Sequence, residues 1–178
     1  SQGNISEAAK YYKYCISQGF NDHRVFLNYG DILRNMGKLK EAEILLRKVI
    51  EFKPDYSDAY SNLGSILKDL GKLKEAELTQ RKAIELKPNF TNAFSNLGNI
   101  LKDLGKLKEA EFSYRKAIEL KPDFSEAYFN LGNTLRDLGK LKEAEVSLRK
   151  AIKLKPDFAD LYFTLAFLEL LQGNYKNG

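Results

Sequence analysis

The chain has 178 residues, of which 43% are hydrophobic, and a formal net charge of +5 from 29 basic and 24 acidic residues. It contains no apolar run near the roughly 18 residues of a membrane-spanning helix, and residues 1–4 lack the basic and apolar blocks of a signal peptide. Basic and acidic residues interleave, whereas a nucleic-acid surface needs an unbalanced basic stripe, so we expect neither a membrane nor a nucleic-acid partner.

The sequence repeats every 34 residues. Residues 57–90 and 91–124 differ at only 8 of 34 positions, and residues 125–158 follow the same template. A proline recurs at this spacing, at Pro54, Pro88, Pro122 and Pro156. Self-similarity at such a period predicts a stacked array in which each unit packs on its neighbours.

Each repeat contains two amphipathic patterns. In residues 57–90, apolar residues at spacings of three and four predict a first helix of about 14 residues that ends at Gly71. A second periodic stretch runs from Leu73 to Pro88, which cannot continue a helix. Small residues, such as Gly64 and Ala76, leave room for the two helices to lie close. Each repeat is therefore predicted to be a helix hairpin.

The repeat resembles the tetratricopeptide repeat signature in its spacing and residue types. The matching positions in one repeat are Tyr60, Leu63, Gly64, Ala76, Ala83 and Pro88. The resemblance implies an all-α, right-handed superhelical solenoid of antiparallel hairpins with ten helices. Gln80 departs from the pattern, because the family prefers a bulky apolar residue at this position.

The resemblance covers the whole chain and divides it in order. Residues 1–22 correspond to the second helix of a preceding repeat, and residues 159–178 to the first helix of a further one. The four complete repeats are residues 23–56, 57–90, 91–124 and 125–158. We expect residues 1–178 to form a single array.

The first helix of each hairpin lines the inner surface in this family, so its spare polar residues are the candidates for a peptide-binding groove. An asparagine recurs in one register, and two further amides follow three residues later in the last two repeats: Asn28, Asn62, Asn96, Asn130, Asn99 and Asn133. This column resembles the asparagine ladder of O-linked N-acetylglucosamine transferases, whose amides hold polypeptides. Amides donate and accept hydrogen bonds, so they suit an extended backbone. The alternative is that these asparagines cap or bridge neighbouring helices.

Charged residues run beside the asparagines. The cations are Lys68, Lys102 and Arg136, and the acids that follow them are Asp69, Asp103 and Asp137. These charges could bind a ligand of mixed charge, or they could neutralise one another.

Two faces lack a polar covering. Tyr11 and Tyr14 have lost their hairpin partner, and the last helix carries Phe163, Phe167 and Leu170 where earlier repeats have mostly polar groove residues. Exposed apolar patches are usually interfaces. We therefore expect end-to-end association between copies of the chain.

No constellation of residues indicates catalysis. The chain has one cysteine, Cys15, and one histidine, His23, and it lacks a phosphate-binding loop or a nucleophile with its base. Cys15 falls where later repeats have alanine, so a small buried side chain is expected. We predict a protein without enzymatic activity, cofactor or metal, in the reducing environment of the cytoplasm.

These observations favour a scaffold that binds a protein or an extended peptide in its groove. Two alternatives stay open. One is the substrate-recruiting arm of a larger transferase whose catalytic domain is absent, and the other is a self-associating structural array.

Overall fold

The computed structural model describes residues 7, 9–14, 18–19, 22–157, 159–171 and 173. These residues form helices and short turns, and no strand is found among them. Residues 9–14 are helical and are called α1. The following helices are α2 (His23–Asn35), α3 (Leu39–Phe52), α4 (Ser57–Asp69), α5 (Leu73–Leu86), α6 (Thr91–Asp103), α7 (Leu107–Leu120), α8 (Ser125–Asp137), α9 (Leu141–Leu154) and α10 (Ala159–Leu171). The all-α prediction with ten helices is confirmed. Cys15 lies outside the described residues.

Each hairpin turns where the sequence places its glycine. After α4, Gly71 has a φ of 75°, and its amide donates to the carbonyl of Lys68 at 2.9 Å. Residues with a side chain rarely adopt this left-handed conformation, so glycine ends the first helix with little strain. The second helix, α5, ends two residues before Pro88. The helix pairs are α2–α3, α4–α5, α6–α7 and α8–α9, and each pair lies within one 34-residue period of the sequence.

The chain forms two compact units, Ser1–Pro88 and Asn89–Gly178. We call them unit 1 and unit 2. Unit 1 contains α1 to α5, and unit 2 contains α6 to α10. Their shared boundary falls between the proline and the aromatic residue that close a repeat.

Within a hairpin, a glycine on the first helix faces one residue of the second helix. A Cβ atom added at Gly98 would lie 2.5 Å from Cε1 of Tyr114, and one added at Gly132 would lie 2.8 Å from Cγ of Leu148. Both partner side chains are fully buried. The missing side chain therefore makes the close approach of the two helices possible.

Gln80 occupies the equivalent position in the α4–α5 hairpin. It is fully buried, and its Nε2 donates to Oγ of Ser61 at 2.9 Å. Its Oε1 has no hydrogen-bond partner among the described residues. The polar residue that departs from the family pattern is thus accommodated between α4 and α5, but with an unsatisfied acceptor among the described residues.

Ion pairs join the second helices of consecutive repeats. In unit 1, the Nζ atom of Lys72 lies 2.8 Å from Glu43, and Arg47 contacts both Glu43 and Glu75. In unit 2, Lys140 and Arg115 repeat this pattern with Glu111 and Glu143. Within each unit, long charged side chains therefore link one second helix to the next.

Candidate functional site

The predicted groove residues lie on the first helices of the hairpins. Each helix contributes one ladder asparagine, partly buried on α4, α6 and α8 and exposed on α2. The paired cations and acids lie near the carboxyl ends of these helices. We call this surface the polar face, and it is described separately for each unit.

Two of the ladder asparagines bridge consecutive first helices. In unit 1, Nδ2 of Asn62 donates to Oδ1 of Asp31 at 3.0 Å, and Asn28 donates weakly to the Tyr12 hydroxyl at 3.4 Å. In unit 2, Nδ2 of Asn130 donates to Oδ1 of Asn99 at 3.1 Å. One side-chain N–H of Asn62 and one of Asn130 therefore form bridges between helices.

The acceptor of each bridge lies three residues after the previous ladder asparagine. Asp31 was missed as a functional candidate, although Asn99 and Asn133 occupy the same repeat position and were predicted. Burial raises the pKa of Asp31, and the Arg34 charge and the Asn62 hydrogen bond oppose this rise. A polar residue at this position in every complete repeat was the available sequence signal.

Asn99 has a second partner that links the polar face to the hairpin core. Its Oδ1 accepts a 2.7 Å hydrogen bond from the Tyr114 hydroxyl. Burial raises the pKa of Tyr114, so the phenol remains a neutral donor. Asn99 is therefore held in position from two sides, by α7 and by α8.

The charged residues pair mainly between repeats. Arg34 donates to Asp69 at 2.6 Å, and Nζ of Lys102 lies 3.8 Å from Asp137. Arg136 contacts Asp137 on its own helix at 2.9 Å. Each of these contacts places a cation beside a carboxylate on the polar face. Arg34 belongs to this set but was not among the predicted groove residues.

A shallow pocket of about 280 Å³ opens on the polar face of unit 2. It lies between the amino-terminal halves of α6 and α8. Its lining consists of Asn92, Ser95, Asn96, Phe124 and Glu126. Asn92 and Glu126 are exposed, whereas Ser95 is buried. This pocket brings together amide, hydroxyl and carboxylate groups from two neighbouring repeats.

The residues predicted to mediate self-association are exposed. Phe163 has 83% of its surface accessible, and Tyr11, Tyr14, Phe167 and Leu170 are at least half exposed. The Arg136 guanidinium lies 5.9 Å from the ring centroid of Phe167, so α10 extends the polar face of α8 with aromatic side chains.

Two features are absent among the described residues. None of the described helices is long and apolar enough to cross a membrane. No group of three or more histidine, cysteine, aspartate or glutamate side chains is placed there to hold a metal ion.

Comparison with family models matches the chain in every complete repeat. A TPR repeat model matches residues 30–71 and 98–135, and two tetratricopeptide repeat models match residues 57–90 and 125–158. The chain belongs to the tetratricopeptide repeat (TPR) family. It is thus a repeat scaffold of a kind whose extended surfaces bind other proteins. None of the curated protein sequences matches the chain.

Solved TPR structures have a similar fold. The crystal structure of MamA aligns with a TM-score of 0.76 at 25% identity, covering 87% of this chain and 91% of MamA. YrrB, described as a TPR protein with an unusual peptide-binding site, aligns at 0.73 and 24% identity, covering 94% of this chain and 87% of YrrB. PilF from Pseudomonas aeruginosa aligns at 0.79 and 22% identity, covering 97% and 72%.

Proposed function

We propose that this TPR protein binds an extended segment of a partner protein along the polar face of unit 2. The pocket between α6 and α8 is the observation that carries the proposal. It combines an exposed amide, a buried hydroxyl and an exposed carboxylate, at Asn92, Ser95 and Glu126. The peptide-binding site named for YrrB supports a peptide ligand by analogy within the family.

The pocket volume limits what the ligand places there. Sites for drug-sized molecules usually measure about 300 to 1,000 Å³ and enclose most of the ligand. A pocket of about 280 Å³ accommodates one or two residues of a longer chain. An extended segment that continues along α8 and α10 therefore suits this surface better than an isolated small molecule.

Charge and hydrogen bonding define the preferred segment. The pocket lining contains one carboxylate, Glu126, and no cation. Asn92 can donate to a backbone carbonyl and accept from a backbone amide. We therefore expect a lysine or arginine side chain of the partner beside Glu126. An apolar residue of the same segment would lie near Phe163 or Phe167.

The ladder asparagines have a supporting role in this proposal. Asn62 and Asn130 each commit one amide hydrogen to the preceding first helix, so their main contribution is to fix its position. Their partial exposure still allows the second hydrogen and the oxygen to contact a ligand. Asn92 is exposed and does not belong to the ladder. Its substitution is therefore a more direct test of peptide binding.

The proposal can be tested with peptides selected from a random library displayed on phage. The selected peptides should contain a basic residue, and an Asn92→Ala, Glu126→Gln variant should bind them about tenfold more weakly, a loss of about 1.4 kcal/mol. A Glu51→Gln variant, changed at an exposed carboxylate of a second helix, is the matched control and should bind normally. Equal binding by all three proteins would exclude this pocket as the site.

Self-association of the chain is a second proposal, supported by the exposure of Phe163 and Tyr11. Burial of such side chains between copies would remove apolar surface from water. Sedimentation equilibrium should show a concentration-dependent mass, and Phe163→Ser should reduce it. A monomer at all concentrations would refute the proposal.

A further inference from the structure

One position of the repeat carries an apolar side chain on the surface in all four hairpins. It lies near the middle of each second helix, and its side chains are 60% to 70% exposed. The four residues are Ile44, Leu78, Phe112 and Val146. Hairpin packing does not explain them, because most of each side chain is exposed to solvent.

The substitutions at this position preserve apolar character. The repeats carry four different residues here, so the position has changed, and every change has kept a hydrophobic side chain. The next position along the helix has Leu45, Thr79, Ser113 and Ser147, and there polarity is not preserved. A single exposed hydrophobic residue needs no explanation, but its recurrence in every repeat indicates an interface.

Lysines flank each of these residues at one helical turn in both directions. In unit 2, Lys108 and Lys116 lie four residues before and after Phe112, and Lys142 and Lys150 flank Val146 in the same way. Residues four apart share a helix face. Lys116 pairs with Glu119 at 2.6 Å. The other three lysines make no ion pair within the described part of the chain.

The two apolar residues of unit 2 lie on adjoining faces of α7 and α9. Arg115, three residues after Phe112, contacts Glu143, three residues before Val146, at 2.7 Å. This contact also neutralises Arg115 and Glu143, so the unpaired lysines leave the surface positive. Phe112 and Val146 thus flank one ion-pair bridge.

We propose that this surface docks an amphipathic segment of a partner protein in which apolar side chains are flanked by carboxylates. We call the surface the apolar–lysine face, and it consists of Phe112, Val146, Lys108, Lys116, Lys142 and Lys150. Phe112 is the anchor, because aromatic side chains contribute most to such interfaces. The lysines select acidic partners by charge complementarity.

The charge pattern favours a protein segment over a lipid surface. Glu109 and Glu119 are exposed on α7, and anionic headgroups packed around them would meet like charge. A folded segment can place its carboxylates opposite the lysines and leave these two acids in water. Unit 1 repeats the arrangement with Ile44 between Lys40 and Lys48.

A designed probe tests the proposal directly. It is a fluorescein-labelled helical peptide of about 18 residues, five turns, with leucine on one face and glutamate elsewhere. Its counterpart has lysine in place of glutamate. Fluorescence anisotropy should show that the glutamate peptide binds the intact chain and the lysine peptide does not. Binding should weaken as salt rises from about 0.05 to 0.5 M, because screening increases.

Variants then localise the binding. Phe112→Ser with Val146→Ser should weaken binding of the glutamate peptide at least about tenfold. Lys108→Glu, Lys142→Glu and Lys150→Glu together should reverse the preference between the two peptides. Asn89→Ala, in the turn before α6, is the control and should bind as the unmodified chain does. All changed residues are exposed, and circular dichroism will verify that each variant is folded.

Three results would overturn the proposal. The first is the absence of binding to the glutamate peptide, and the second is binding that the Phe112 and Val146 changes leave intact. The third is co-sedimentation of the chain with phosphatidylserine vesicles that depends on Phe112, without peptide binding, which would assign the face to a membrane.

Discussion

Asn62 on α4 donates a 3.0 Å hydrogen bond to Asp31 on α2, so two consecutive repeats are joined by a side chain that their helical pattern does not require. Asn130 forms the equivalent bond to Asn99 in unit 2. The ladder asparagine is therefore a tie between first helices, and it sets the spacing of the polar face on which a ligand would lie.

This tie should contribute measurably to stability. A double-mutant cycle with Asn62→Ala and Asp31→Ala should give a coupling free energy of about 0.5 to 1.5 kcal/mol, the usual net value of one hydrogen bond. The measurement is denaturation by urea, monitored by circular dichroism. Asn92→Ala changes an exposed asparagine of the same polar face and should leave the midpoint nearly unchanged. Strictly additive single-mutant effects would contradict the tie.

The ion pairs of Glu43 should make stability depend on pH. The Lys72 hydrogen bond lowers the pKa of Glu43 below its usual 4.5, against the effect of burial, and Arg47 adds to the lowering. A carboxyl whose pKa is lower in the folded state stabilises the fold above its unfolded pKa. That contribution is lost as the pH falls through the folded value.

Glu43→Gln should therefore reduce the free energy of unfolding by about 1.5 kcal/mol at pH 7, since it removes charge-assisted hydrogen bonds. The difference from the unmodified chain should shrink as the pH falls below 4.5. Glu51→Gln, on the same helix but without an ion pair among the described residues, is the control. A deficit that stayed constant with pH would show that packing, and not charge, is responsible.

The hairpin glycines differ in how closely the facing side chain of the second helix approaches them. Alanine substitutions should reveal this difference. At Gly98 the new Cβ would lie 2.5 Å from the buried Tyr114 ring, whereas at Gly30 it would lie 3.3 Å from Leu46. Gly98→Ala should cost about 2 kcal/mol through overpacking, and Gly30→Ala less than about 1. Thermal denaturation measures both. Tyr114→Leu should rescue Gly98→Ala, and failure to rescue would contradict the packing explanation.

Gln80 offers a stabilising change. Its Oε1 is buried without a partner among the described residues, and its Nε2 is bonded to Ser61. Replacing both residues, as Gln80→Leu with Ser61→Ala, should stabilise the chain by about 1 kcal/mol, because it removes the unsatisfied Oε1 acceptor together with both partners of the Nε2–Oγ hydrogen bond. Gln80→Leu alone should gain less. If the double variant had a lower denaturation midpoint than the unmodified chain, the interpretation that the buried Gln80 acceptor destabilises the α4–α5 hairpin would be wrong.

The fold could be predicted from the sequence because the local signals agree with one another. The apolar spacing of α4, the turn at Gly71 and the stop at Pro88 all indicate the same hairpin, and repetition supplies that evidence several times. The hairpin contact of Gly98 with Tyr114 was predicted only as closeness between helices, since periodicity does not identify which side chain fills the gap.

The candidate site was predicted less completely. The sequence predicted the repeat position of the ladder asparagines. It did not predict the partner of Asn62, because Asp31 lies in another repeat, 31 residues away. The charge pairs likewise join Arg34 to Asp69 across repeats, and sequence proximity had suggested pairs of adjacent residues. Contacts between repeats depend on helix rotation, which a sequence pattern does not specify.

The direct test of peptide binding on the polar face is a chemical-shift map. A phage-selected peptide would be titrated into the isotopically labelled chain while its two-dimensional amide spectrum is recorded. Our account predicts that the largest shifts fall on α6 and α8, including the side-chain amides of Asn92 and Asn96. Shifts confined to the exposed faces of α7 and α9 would contradict it.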